Sequence, residues 1–270
     1  MKFIPIQIAL STALALSSAA FAQTAAPTAP AAPAAATSPW SYNLSLTSNY
    51  KFRGQDQDLS KTSKTSMFKP ALQGGVDYAH DSGFYVGNWN STVNFPDPAG
   101  KKAKLEMDLY GGYKFTKGDW GFDLGALQYY YPGATKANTT ELYAAVSYGP
   151  VTAKYSSTVS KGYFGTGFAT NNGRGTGYYN LAFAKEVMPK VTLKASIGQT
   201  DFRKAVNNAG TPDFTDYSVG ASYDLGSGLA LAGALQGASQ TNNATFNYTV
   251  NGTTRSANRN ALIVTLTKSL

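Results

Sequence analysis

Cysteine is absent from the chain and histidine occurs once, as His80. Without cysteine there is no disulfide, no lipid attached at a cleavage-site Cys, and no Cys-ligated metal. One imidazole makes a transition-metal site a poor expectation, and no cofactor is implied. A Ser/His/acid relay needs a serine aimed at the imidazole and an acid behind it. His80-Asp81-Ser82 are contiguous, which is poor geometry for such a relay, so no catalytic residue is assigned and His80 reads as a turn residue. Charge is also scarce, at 14% of residues. Beyond the N-terminus no segment has eighteen consecutive apolar residues, so no membrane helix is expected. A membrane-embedded chain of this kind must then be a closed barrel, because lipid tolerates no open sheet edge.

The chain is rich in glycine (27), tyrosine (18) and phenylalanine (14). Its mean hydropathy of −0.24 suits strands that are half polar. Lys2, the apolar Ile6 to Leu16 and the small-x-small Ala20-Phe21-Ala22 predict a signal peptide over 1–22. Residues 23–39, of Ala, Pro, Thr and Gln with one Ser, read as a disordered periplasmic linker.

From Trp40 to Phe52 the chain alternates. Trp40, Tyr42, Leu44, Leu46, Ser48, Tyr50 and Phe52 share one face, and the other is wholly polar. Successive strand residues point to opposite sides, so this is a two-faced strand. Aromatics at both ends of the apolar face match the interfacial girdles of a membrane strand, where a soluble sandwich would need none. Thirteen such residues, tilted by about 40°, rise roughly 25–30 Å.

The pattern recurs. A third strand is read with Tyr85, Gly87, Trp89, Ser91, Val93 and Phe95 toward lipid, and a fourth with Leu105, Met107, Leu109, Gly111, Tyr113 and Phe115. Comparable rows start at Leu72, Trp120, Leu142, Val151, Tyr179, Val191, Tyr217, Leu229 and Leu262. Twelve strands are expected. Short turn-rich joints (81–83, 116–119, 149–150, 186–190, 224–228) alternate with longer ones, as an up-and-down barrel with long outer loops requires. The expected fold is an all-β transmembrane antiparallel barrel over 40–270, in the bacterial outer membrane. Membrane lipids, lipopolysaccharide and the barrel-assembly machinery are its expected partners.

The net charge is +8. On this strand map the lumen carries Lys51, Arg53, Lys104, Lys114, Lys154 and Lys194 against Asp77, Glu106, Asp108, Asp123, Glu141, Asp216 and Asp224. Those cations and the first five anions are the candidate pore lining. The outer loops carry twelve cations against five anions, with Lys61, Lys64, Lys101, Lys102, Arg174, Arg203 and Lys204 the candidate basic vestibule, and Lys69 and Arg259 also among them. Such loops either concentrate anionic solutes or bind lipopolysaccharide phosphates; nucleic acid is a poor third. Phe164 and Phe168, in the 160–177 loop, can fold inward as a plug or stay in a surface loop, the second being the default.

Several stretches are similar to one family. They are Ser48-Asn49-Tyr50-Lys51-Phe52-Arg53-Gly54, Pro70-Ala71-Leu72-Gln73-Gly74-Gly75-Val76-Asp77-Tyr78, Ser82-Gly83-Phe84-Tyr85-Val86-Gly87, Glu106-Met107-Asp108-Leu109-Tyr110-Gly111-Gly112-Tyr113 and Tyr129-Tyr130-Tyr131-Pro132-Gly133. In order and spacing they resemble the TorF-type porins, bacterial proteins long catalogued as a conserved domain of unknown function. The sequence departs from that pattern in a longer loop at 55–69 and in Asn88-Trp89-Asn90-Ser91. The resemblance implies an outer-membrane barrel with a transport role and brings no substrate or functional residues. Passive diffusion of small hydrophilic solutes, anionic ones among them, is the expected function. A structural or adhesive barrel with an occluded lumen is the alternative.

Overall fold

In the computed structural model of the protein, residues 38–60, 68–97, 99–166 and 173–270 are described. The predicted signal peptide and the linker up to residue 37 lie outside them, as do Lys61, Lys64 and Phe168.

Twelve strands form one closed antiparallel barrel: β1 (Trp40–Thr47), β2 (Ala71–Ala79), β3 (Phe84–Pro96), β4 (Lys102–Lys117), β5 (Trp120–Tyr130), β6 (Thr139–Tyr148), β7 (Val151–Thr158), β8 (Gly177–Met188), β9 (Val191–Asp201), β10 (Phe214–Gly226), β11 (Leu229–Ala238) and β12 (Ala261–Ser269). Each strand pairs with the next, and β1 closes on β12 from Asn43↔Ser269 to Thr47↔Thr265. At that seam Ser45 bonds Thr267 at 3.0 Å and Thr265 donates to Thr47 at 2.8 Å. Closure leaves no unpaired edge, which is what lipid demands.

The outer surface carries the apolar rows. Leu44, Leu46, Leu72, Leu109, Leu124, Leu142, Leu181, Ile197, Val219 and Leu262 are exposed, and in a membrane they meet acyl chains. Aromatic pairs across neighbouring strands mark the end of the band near the short turns: Trp40–Tyr78, Phe84–Tyr113 and Trp120–Tyr148, with ring centroids 4.8–4.9 Å apart. Leu124 sits between Trp120 and Tyr130, near the middle of the band. Leu124→Arg is expected to lower barrel stability by about 2–4 kcal/mol, measured by urea unfolding of the protein refolded into vesicles.

Two expected faces are corrected. β1 ends at Thr47; at Ser48 the chain leaves the wall and turns into the barrel, so Tyr50 and Phe52 are buried there and do not face lipid. In β3 the phase is inverted: Phe84 and Val86 are exposed, while Trp89, Ser91 and Val93 are buried. Both faces of β3 are apolar in places, and the inward one packs an aromatic core inside the outer half of the barrel. That core joins Tyr50, Phe52, Trp89, Val93, Tyr129 and Tyr131, with Phe95 and Phe164 against it.

Candidate functional site in the plugged lumen

The segment after β1 is an inward plug. A short hairpin, Lys51–Phe52 paired with Gln55–Asp56, turns at Arg53 and Gly54. Both residues have positive φ, 47° and 73°, as a type I′ turn requires. Gly54 lies against the opposite wall, where an added Cβ would come within 2.8 Å of Ala238 Cβ and meet the Gly237 backbone. Valine there adds about 1–3 kcal/mol of backbone strain to the clash. Gly54→Val is expected to unseat the hairpin in an otherwise intact barrel. The readout is trypsin cleavage after Arg53, a residue only 3% exposed in the seated plug.

Hooks from around the wall hold the plug. Arg53 makes a two-bonded ion pair with Glu141 of β6, at 2.9 and 2.7 Å, and donates to the Tyr163 hydroxyl at 2.9 Å. Its guanidinium lies 3.9 Å over the Tyr178 ring of β8. Tyr50 donates to Glu106 of β4 at 3.3 Å. Phe52 meets Tyr129 of β5 and Phe164 at 5.4 and 5.0 Å between centroids. β3 contributes backbone. Its register shifts between Thr92 and Phe95, and a bulge of this kind leaves a residue unpaired within the ladder. Asn94 uses that freedom, donating to Gln57 O at 3.0 Å and accepting from Leu59 N at 3.1 Å.

Asp56 is the ionic centre. Lys51 approaches it at 2.9 Å, Lys69 at 3.5 Å and Arg259 at 3.1 Å. Lys51 also donates to Gly54 O and Ala257 O, each at 2.9 Å. Lys69 donates to the Tyr248 hydroxyl at 2.7 Å, joining the plug to an outer hairpin of Asn247–Val250 and Thr253–Ser256. Burial pushes the Lys51 ammonium down to about 8 and lowers Lys69 as well. Burial alone would raise the Asp56 carboxyl, but the three cations outweigh it and hold it below its usual range.

The candidate pore-lining residues therefore divide. Lys51 and Arg53 belong to the plug and not to the wall. Glu106, Asp108, Asp123 and Glu141 are buried wall residues facing inward. Lys104 is a correction: beside the bulge Ala103 turns inward and Lys104 is exposed. Asp77, Lys114, Lys154 and Lys194 are half-buried on the inner wall toward the short turns. Of the expected vestibule, Lys101, Lys102, Arg174, Arg203 and Lys204 are exposed. Lys69 and Arg259 are not vestibule cations, because the plug uses both. Phe164 overturns its default and folds inward, its amide donating to Thr139 Oγ1 at 2.8 Å. His80 sits exposed at its turn and accepts from Ser82 N at 3.1 Å.

One sequence signal went unread. Val151-Thr152-Ala153-Lys154 and Val191-Thr192-Leu193-Lys194 repeat one pattern directly after a short turn, which places Lys154 and Lys194 at matching positions on β7 and β9. The inner tyrosines nearby lie flat. A Cβ on Gly87 would strike the Tyr110 ring, one on Gly112 the Tyr85 ring, and one on Gly125 the Tyr143 ring, so each ring rests on a glycine of the neighbouring strand. Their hydroxyls are tied to wall groups: Tyr110 to Asp77 at 2.5 Å, Tyr85 to Asp123 at 2.6 Å, and Tyr85 to Tyr143.

Among solved structures the fold is similar to the NanC porin, with 8% identity and a TM-score of 0.51, covering 84% of this chain and 97% of that one. Weaker likenesses are OccK9 of Pseudomonas aeruginosa (17% identity, TM-score 0.38, 79% and 58% covered) and the toluene transporter TodX of Pseudomonas putida (9%, 0.41, 87% and 89%). No curated protein matches the chain. A bacterial family model matches residues 31–270, and a bacterial barrel with an apolar exterior belongs in the outer membrane. The chain is a member of the Gcw_chp family, bacterial proteins of unknown function, and folds as a twelve-stranded outer-membrane barrel.

Proposed function

We propose that the protein is an outer-membrane channel for small hydrophilic solutes, closed in this conformation by residues 48–60. One observation carries the reading: the wall tyrosines lie flat over glycines, and closure comes from a separate segment held by polar and ionic hooks. A barrel built only as a scaffold has no need of a thin wall and a detachable filling. The likeness to a porin and the resemblance to the TorF-type porins agree with it. The exposed loop cations Lys101, Lys102, Arg174, Arg203 and Lys204 favour anionic solutes at the mouth; the same loops suit lipopolysaccharide phosphates.

The test is planar-bilayer conductance of the refolded protein, free and with the plug tethered. Gln55 donates to Asn258, in the turn before β12, at 2.8 Å, so Gln55→Cys with Asn258→Cys, joined by a short thiol cross-linker, ties the plug to the barrel's last loop without competing cysteines. Open events in the free protein that vanish on tethering are expected. Silence in both states, and in a plug-released variant, would leave the occluded structural barrel as the function. A cation preference in a KCl gradient would remove the anionic reading alone.

A further inference from the structure

Above the plug, on the side of the long loops, lies a cavity of about 160 Å³ that the channel reading does not use. Phe52 and Arg53 of the plug form part of its lining, with Phe95, Phe164, Phe202 and Phe246 around them. Polar groups complete the lining: hydroxyls of Thr166, Thr211, Thr245, Tyr163 and Tyr248 and amides of Gln55, Gln57 and Asn247. The charges within reach are largely committed: Arg53 gives Nη1 and Nη2 to Glu141 and Tyr163 and keeps one buried N–H, at Nε, without a partner, and Asp56 is held by three cations.

We infer that this cavity binds one six-membered aromatic ring bearing a neutral hydrogen-bonding substituent. The volume is close to that of a cavity of about 150 Å³ that admits benzene. Phenyl walls accept a further ring in the edge-to-face and offset arrangements that aromatic groups prefer, and the rings already present meet in that way, Phe52–Phe164 and Tyr163–Phe202 at 5.0 and 5.3 Å. A hexose carries hydroxyls around its whole edge, and the five phenyl rings of the lining would leave those that face them unbonded, each at a desolvation penalty. A carboxylate would leave water for a site that offers it at most the unbonded Nε of Arg53, beside the buried Asp56 carboxylate of the lining, and desolvating an ionised group costs more than one such bond returns. A bare hydrocarbon would leave the threonine and asparagine groups unused. Because Phe52 and Arg53 line the site, an occupant packs onto the tip of the plug and shields the Arg53 peptide bond. The inference concerns binding and stands whether or not the barrel conducts.

The experiment uses the full-length protein in lipid nanodiscs with 4-fluorophenol, followed by fluorine NMR. Partition into lipid is common to all samples, so the signal of the site is the difference from variants that fill the cavity. Phe246→Trp and Thr211→Phe are two independent fillings, each checked for folding by its heat-dependent gel mobility. Saturable binding to the parent protein, lost in both variants, is expected, together with slower trypsin cleavage after Arg53 when ligand is present. 4-Fluorobenzoate and 2-fluoro-2-deoxyglucose are expected to bind about tenfold more weakly or worse. Equal signals in parent and filled variants would remove the site. Equal or tighter binding of the benzoate or the sugar would overturn the ligand class.

Discussion

Arg53→Ala is expected to turn a mostly shut barrel into a mostly open one. The substitution leaves Glu141, 2% exposed, as a buried carboxylate without its partner. Breaking one side of a buried pair costs about 3–5 kcal/mol, which is roughly two to three and a half orders of magnitude in the ratio of seated to released plug, at about 1.4 kcal/mol per tenfold. The whole cost falls on the seated state, because a released plug exposes the site to water. Glu141→Gln is expected to do less, since Arg53 keeps the Tyr163 oxygen and the Tyr178 ring. Arg53→Ala with Glu141→Ala should be milder than the sum of the single changes, because neither partner is left charged and alone. Open probability in bilayers and trypsin sensitivity near the tip both report the result. Additive effects in that double-mutant cycle would mean that the pair does not hold the plug.

Asp56→Asn is expected to have the largest effect of any single change. It removes the one carboxylate shared by Lys51, Lys69 and Arg259, and the Lys51 and Lys69 side chains have no solvent contact. The loss reaches past the hairpin, because Lys69 carries the link to Tyr248 in the outer loop. The same residue sets an acid limit. The folded Asp56 carboxyl lies below its usual range, whereas in a released plug it titrates near about pH 3.9. The released form therefore binds more protons in the interval between the two values, and acid works against the seated form only there and below. Conductance is expected to stay low from neutral pH to about pH 5 and to rise toward about pH 3. A rise already at about pH 6 would exclude Asp56 as the group responsible.

Much of the barrel can be read from alternation, and the residues that mislead share one cause. Alternation assigns a strand's faces only where lumen and lipid differ in polarity. Leu105 to Phe115 obey it because their partners Glu106, Asp108 and Lys114 are charged. Phe84 to Phe95 do not, because Trp89, Val93 and Phe95 serve an aromatic core inside the barrel, and the row with more aromatics is then the inner one. Tyr50 and Phe52 continue the rhythm of Trp40 to Leu46 without a break in the sequence, although the backbone leaves the wall at Ser48. The plug is invisible for the same reason: Lys51, Arg53, Lys69 and Arg259 look like wall and loop charges, and alternation does not show the contacts that join them to Asp56 and Glu141, two of which span 88 and 203 residues of chain.

The way the plug is tied also bears on the order in which the protein can be assembled. The hairpin precedes eleven of the twelve strands in the chain, yet three of its hooks come almost at the end: Ala257 O, which accepts from both Lys51 and Asp56 N; Asn258, which bonds Gln55; and Arg259. All three lie immediately before β12, the strand that closes the sheet on β1. A growing barrel has no complete latch until its last strand arrives, so shutting the seam and shutting the bore are a single late event.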